Sequence, residues 1–231
     1  MQKLDARKFH PWEGGEGKVS TQYQICRVEL AKKALKRGDA NEAIRLLQEC
    51  LVYPHHLGEG KLYGAQENDF YYFLGVAYQL KGDAEKAREC WLEATKGPQE
   101  PAAAMYYNDA KPDKIFYQGL SLRKLAEQAD SQGEQQRLNG LANSRFYKLV
   151  NYGKQHIFDQ VVMDYFAVSL PDLLIWEDSL DLKNRIHCLY MLALGYYGLG
   201  DEAHAQRYLK EVEQLDINHY GTQAFRSLMA M

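Results

Sequence analysis

Three times along the chain a Gly-Asp pair is followed, after three further residues, by alanine: Gly38-Asp39 with Ala43, Gly82-Asp83 with Ala87, and Gly200-Asp201 with Ala205. Each pair lies between two stretches with helical apolar spacing. Glycine readily takes the left-handed conformation that ends a helix, and an aspartate beyond it caps the next one. The chain is therefore expected to fold back on itself at these points as antiparallel helical hairpins. Tyr71 to Pro98 is the clearest case, with Tyr71-x2-Leu74-Gly75-x2-Tyr78 before the turn and Ala87-x3-Trp91 and Pro98 after it. Gly75 and Ala87 allow the two backbones to approach, while Tyr78 and Trp91 fill the space beside them. Glu85 is placed where a helix N-terminus favours negative charge.

The string GEGK occurs at 15–18 and again at 58–61, and the first two Gly-Asp turns are spaced by almost the same interval. A repeating unit of this size is a helical hairpin carrying an inserted loop. The predicted order is a loop over 1–20, a hairpin over 21–54, a second over 70–98, and a degenerate pair over 115–152. Irregular helices over 158–180, a last hairpin over 184–217 and a capping helix over 222–231 complete it. In the degenerate pair Pro112 prevents a continuous helix, and the turn is expanded through Asp130 to Glu134. The fold class is all-α, a right-handed solenoid. Arrays of this kind need caps, because each unit leaves an apolar face open. Lys3-Leu4-Asp5 echoes Gln214-Leu215-Asp216, so residues 1–20 read as the tail of a preceding unit and the chain as the C-terminal piece of something longer.

With a net charge of −3 the chain carries no broad basic field of the kind that nucleic acid or an anionic membrane attracts. No apolar run is long enough to span a bilayer, and the first residues lack a signal-peptide core. Cys26, Cys50, Cys90 and Cys188 are scattered within helical patterns and form no CxxC, as expected of buried free thiols in a cytoplasmic protein.

Neither GEGK copy meets the phosphate-loop pattern: Trp12 and Val19 stand where glycine and Ser or Thr are required, and Leu62 follows Lys61. A structural loop with Glu16 or Glu59 in capping contacts is expected instead. His55-His56 are adjacent and no HxxxH or HExxH occurs, so no metal and no cofactor are expected. Without GxSxG or a Cys-His setting, nucleophilic catalysis has no support. Asp109, Asp113, Glu177, Asp178 and Asp181 are carboxylates of the kind that serve glycoside chemistry, but such residues at helix ends usually cap or face solvent.

Two segments combine aromatic faces with hydrogen-bonding groups, as sites for sugars or polar peptides do. One holds Tyr106, Tyr107, Asn108, Asp109 and Lys114; the other holds Trp176, Glu177 and Asp178 with His187. The alternative is that these side chains fasten long loops to the helices. Counting from the crossing residues, the first helices turn Lys32 and Lys36, then Tyr72, Val76 and Gln79, then Tyr190, Leu194 and Tyr197 toward a concave groove. Only the first set is basic, which disfavours a clamp for a peptide carboxylate across several repeats.

The hairpins over 21–98 and 184–217 resemble tetratricopeptide repeats. The strings HLGEGKLYGAQEND (56–69), AMYYNDAKPDKIFYQG (104–119) and DYFAVSLPDLLIWEDSL (164–180) resemble the C-terminal region of a family of large, uncharacterised bacterial proteins. That family joins a sugar-related, β-rich N-terminal part to tetratricopeptide repeats. The resemblance implies a role near carbohydrate metabolism and supplies no catalytic residue here. The expected function is a non-catalytic scaffold contacting another protein or its own N-terminal domain. The alternative is carbohydrate binding, or part of a sugar-processing site.

Overall fold

The computed structural model describes residues 2–10, 17–61, 64–103, 111–162 and 179–231. Their regular structure is helical, with no strand among them: α1 (Gln2–Asp5), α2 (Lys18–Lys36), α3 (Ala40–Cys50), α4 (Asn68–Lys81), α5 (Ala84–Ala94), α6 (Pro112–Glu127), α7 (Gln132–His156), α8 (Leu180–Gly198), α9 (Glu202–Leu215) and α10 (Tyr220–Met229). No helix among the described residues is long and apolar enough to cross a membrane.

The three Gly-Asp turns share one geometry. Gly38, Gly82 and Gly200 have φ of 77°, 85° and 85°, a region that side chains with a Cβ rarely enter. The carboxylates of Asp39, Asp83 and Asp201 accept the amide N–H groups of Glu42, Lys86 and His204 at 3.0, 3.1 and 3.1 Å. Each thereby satisfies an otherwise unpaired donor of the helix that follows.

Packing repeats with the turns. At one distance before the turn glycine stand Ala31, Gly75 and Ala193; at one distance after it stand Leu47, Trp91 and Leu209, and all six are buried. Ala43, Ala87 and Ala205 are completely buried at a third shared position. In the second hairpin a Cβ on Gly75 would overlap the Trp91 indole. The indole N–H there donates to the Tyr72 carbonyl at 3.2 Å. The far ends of both N-terminal hairpins are closed by amides: Gln24 donates to the Cys50 carbonyl at 3.2 Å, and Asn68 to those of Ala94 and Lys96 at 2.8 Å each.

The described residues fall into two compact units, one ending at Gly97 and taking in Ser227–Met231, the other spanning Pro98–Arg226. In the first, α2, α3, α4 and α5 pack in sequence and α2 also touches α4. Here the two GEGK strings meet. The carboxylate of Glu59, in the second copy, accepts the N–H groups of Gly17 (3.1 Å) and Ser20 (3.2 Å) and the Ser20 hydroxyl (2.7 Å). It therefore caps α2, which begins at Lys18 of the first copy. Glu16 lies outside the described residues. The expected loop over 1–20 is interrupted by α1 and by this earlier start of α2, which the cap from Glu59 makes possible. Leu4 and Phe9 pack on Val19, Tyr23 and Leu57. The Phe9 N–H donates to the His56 carbonyl at 2.8 Å, and a Cβ on Gly58 would lie 2.5 Å from the Phe9 carbonyl oxygen.

In the second unit α6, α7, α8 and α9 pack in sequence and α6 also touches α8. Pro112 opens α6 at a position where its missing N–H has no helical partner to lose. The expanded turn is shorter than expected: α7 begins at Gln132 because the Ser131 hydroxyl accepts the Glu134 N–H at 3.2 Å, leaving Gly133 inside the helix. The helix expected from Phe158 is absent over 158–162, where Phe158 and Val162 are 87% and 91% exposed. Residues 163–178 lie outside the described residues. The last hairpin starts at Leu180 rather than 184, because Ser179 caps the Leu182 N–H.

The C-terminal helix is held by aromatic contacts and an unusual cap. The Phe225 ring meets those of Phe116 and Tyr197 edge-on, with centroids 5.5 and 5.0 Å away. His219 Nδ1 accepts the Thr222 N–H at 3.2 Å, beside the Thr222 hydroxyl at 2.9 Å, and its ring lies edge-on to Tyr190. Burial pushes the His219 pKa below the usual 6.5, against a smaller opposite effect from Asp216. A depressed histidine pKa means that the unfolded chain binds the proton more readily. The stabilisation is therefore complete above the unfolded value and lost as pH falls toward the folded one. We predict that the melting temperature falls between about pH 7 and about pH 5, and that His219→Asn, which keeps a capping side chain, flattens this slope. Thermal melts across that range check it; equal slopes in both proteins would contradict it.

Candidate functional site

Pro98 and Pro101 keep the segment before α6 out of helix, so its carbonyls need partners elsewhere. One side chain from each of three helices supplies a tie. Gln118 of α6 donates its amide N–H to the Pro98 carbonyl at 2.8 Å, Lys148 of α7 pairs with Glu100, and His187 Nε2 of α8 meets the Ala102 carbonyl at 2.8 Å. A carbonyl only accepts, so the His187 ring carries its proton on Nε2.

Fixing the Gln118 amide nitrogen on Pro98 turns its oxygen toward α7. There it accepts Arg145 Nε at 3.0 Å. Gln118 is fully buried and Arg145 is 8% exposed. Among the described residues the Arg145 guanidinium has no ion pair, and its two terminal nitrogens have no hydrogen bond. This sets it apart from Arg27, Arg45, Arg137 and Arg226, each of which pairs with carboxylates. Burial lowers the Arg145 pKa, with Glu100 acting in the opposite sense, but an arginine stays charged across the physiological range. Glu100, with a side chain 75% exposed, is already engaged by Lys148.

Of the two predicted binding segments, only Lys114 and His187 are described. Lys114 lies in the first turn of α6, its ammonium 3.9 Å from the Asp113 carboxylate, and His187 holds the Pro98–Ala102 segment. Tyr106, Tyr107, Asn108, Asp109, Trp176, Glu177 and Asp178 lie outside the described residues. Asp181 accepts the Val161 N–H at 2.9 Å. Of the eight groove positions, Lys32, Tyr72, Tyr190 and Leu194 are buried, Val76 and Tyr197 half-buried, and Lys36 and Gln79 exposed. Lys32 is 1% exposed, paired with Glu29 at 2.7 Å and 5.3 Å from the Phe73 ring centroid. It lies buried against Phe73 of α4, in the next hairpin, rather than on an open face.

Arg145 and Gln118 were not among the residues singled out from the sequence. A signal existed: Leu138, Ala142, Arg145 and Leu149 form one buried stripe of α7 at helical spacing, and the arginine takes an apolar place in it. All four cysteines are free. Burial pushes Cys90 up to about 11 and Cys188 up to about 12, which keeps both protonated and poorly nucleophilic. Among the described residues no group of three or more His, Cys, Asp or Glu side chains is placed to hold a metal ion. No family model matches the chain, and no solved structure matches it.

Removing the Gln118 amide would strand both the Pro98 carbonyl and Arg145 Nε. Gln118→Ala is therefore expected to destabilise the chain by roughly 1–3 kcal/mol, whereas Glu100→Ala, an exposed pair, should change it by less than about 1 kcal/mol. Urea unfolding of both variants checks the ranking, and equal losses would contradict it.

Proposed function

We propose that the chain is a non-catalytic scaffold of tetratricopeptide-like hairpins stacked as a right-handed solenoid. It contacts another protein, or another region of a longer protein linked to carbohydrate metabolism. The observation that carries this reading is the Gly-Asp turn in three copies, each with a small residue before it and a large buried one after it at fixed distances. Contacts between α2 and α4, and between α6 and α8, agree with hairpins stacked through their first helices. Repeats of this type contact ligands through the faces their helices leave open; here Lys36, Val76 and Gln79 remain accessible on the first helices of the two N-terminal hairpins.

The test is affinity capture with the purified chain from bacterial lysate, followed by cross-linking and a thermal-shift panel of oligosaccharides. The scaffold reading expects one reproducible protein partner cross-linked through Lys36. That partner should be lost in Lys36→Glu/Gln79→Ala without a change in melting temperature. Saturable stabilisation by a sugar with no protein partner would replace this reading with carbohydrate binding.

A further inference from the structure

We propose that the face shared by α6 and α8 is a docking site for an amphipathic helix of a partner protein, and that α10 occupies it as an internal ligand which such a helix displaces. This deepens the scaffold reading by naming a second surface and the kind of partner it takes, and rests on that reading for the partner being a protein. A helix that merely continued the array would pack on the last hairpin, α8 and α9. α10 reaches one helix pair further back. Its Phe225 ring, 2% exposed, stands edge-on to both Phe116 of α6 and Tyr197 of α8. One turn earlier the Gly221 carbonyl accepts the Tyr190 hydroxyl at 3.1 Å. One residue later the Arg226 guanidinium pairs with Glu213 of α9.

These contacts define what the site accepts. A Cβ at Gly221 would come within 2.7 Å of the Tyr190 ring, so an incoming helix must bring a small residue there. Four residues on, and so on the same helix face, an aromatic ring is needed against Phe116 and Tyr197. The next residue meets Glu213 and is best a cation. Glycine followed after three residues by Phe-Arg is therefore the recognised pattern, a helix read through anchors one turn apart. α10 itself is lightly anchored: only Thr222 and Phe225 are buried in its ten residues, against nine of nineteen in α8. A helix this short is marginal in water on its own, so α10 is ordered by docking. Its release uncovers aromatic surface on Phe116, Tyr190 and Tyr197, of the kind that marks an interaction site.

The experiment uses the whole chain and a fluorescein-labelled synthetic peptide of residues 216–231, with binding read by fluorescence anisotropy. Gly221→Val and Phe225→Ala unseat α10 and leave Phe116, Tyr190, Tyr197 and Glu213 unchanged. A site that is already occupied loses apparent affinity in proportion to the fraction left open, so both variants should bind the peptide about tenfold or more tightly than the wild type does. A peptide carrying Phe225→Ala should bind about tenfold or more weakly than the native peptide, because the buried ring is its anchor. Three results would overturn the proposal: variants that bind the peptide no more tightly than the wild type, a Phe225→Ala peptide that binds as the native one does, or loss of the cooperative thermal melt in both variants, which would make α10 part of the fold rather than its ligand. The capture experiment on Lys36 and Gln79 involves other residues, so the scaffold reading and this one can fail separately.

Discussion

The contact on which the second hairpin depends is Trp91 lying over Gly75. An indole of this size is fully buried between two helices only if the facing helix gives up a side chain, and here it gives up even the Cβ. The first and last hairpins keep the same division at the same positions with less contrast, alanine before the turn and leucine after it. Close packing is what makes the division necessary: interiors fill to crystal-like density, so volume added on one face must be withdrawn from the other. The second unit applies the rule again in its degenerate pair, where a Cβ on Gly119 would overlap the Phe146 ring.

Turn and crossing support one another. A left-handed glycine and a capping aspartate set where each second helix begins, and hence which residues meet across the hairpin. Loops are then fastened onto this frame by single polar contacts. Glu59 caps α2 from the second GEGK string, and Gln118, Lys148 and His187 tie down the Pro98–Ala102 segment. In both places a loop carbonyl or a helix N–H that would otherwise be unpaired finds a side chain, and that pairing decides where the loop lies.

The hairpins were legible in the sequence because their signals are local. Gly82-Asp83 needs only its own backbone geometry and cap, and Gly75 opposite Trp91 needs only helical spacing. Non-local contacts were not legible. That α2 starts at Lys18 depends on Glu59, far along the chain, and that α8 starts at Leu180 depends on a serine cap that the apolar pattern does not display. Lys32 reads as a groove residue because periodicity fixes the face of a helix but not what covers it. The arginine within the apolar stripe of α7 was visible in principle, but its partner Gln118 comes from another helix. The predicted aromatic segments around Tyr106 and Trp176 lie outside the described residues, so of the predicted binding side chains only Lys114 and His187 were placed.

A double-mutant cycle on Gly75 and Trp91 tests the central claim most directly. Gly75→Ala alone should destabilise by about 1–3 kcal/mol, because the fully buried indole has nowhere to move. In a Trp91→Leu background, with leucine now in the role it plays in the other hairpins, the same change should be much milder, giving a coupling of about 1 kcal/mol or more. Effects that add to within roughly 0.5 kcal/mol would mean that the two residues do not share the space, and the small-against-large crossing would not be what sets this fold.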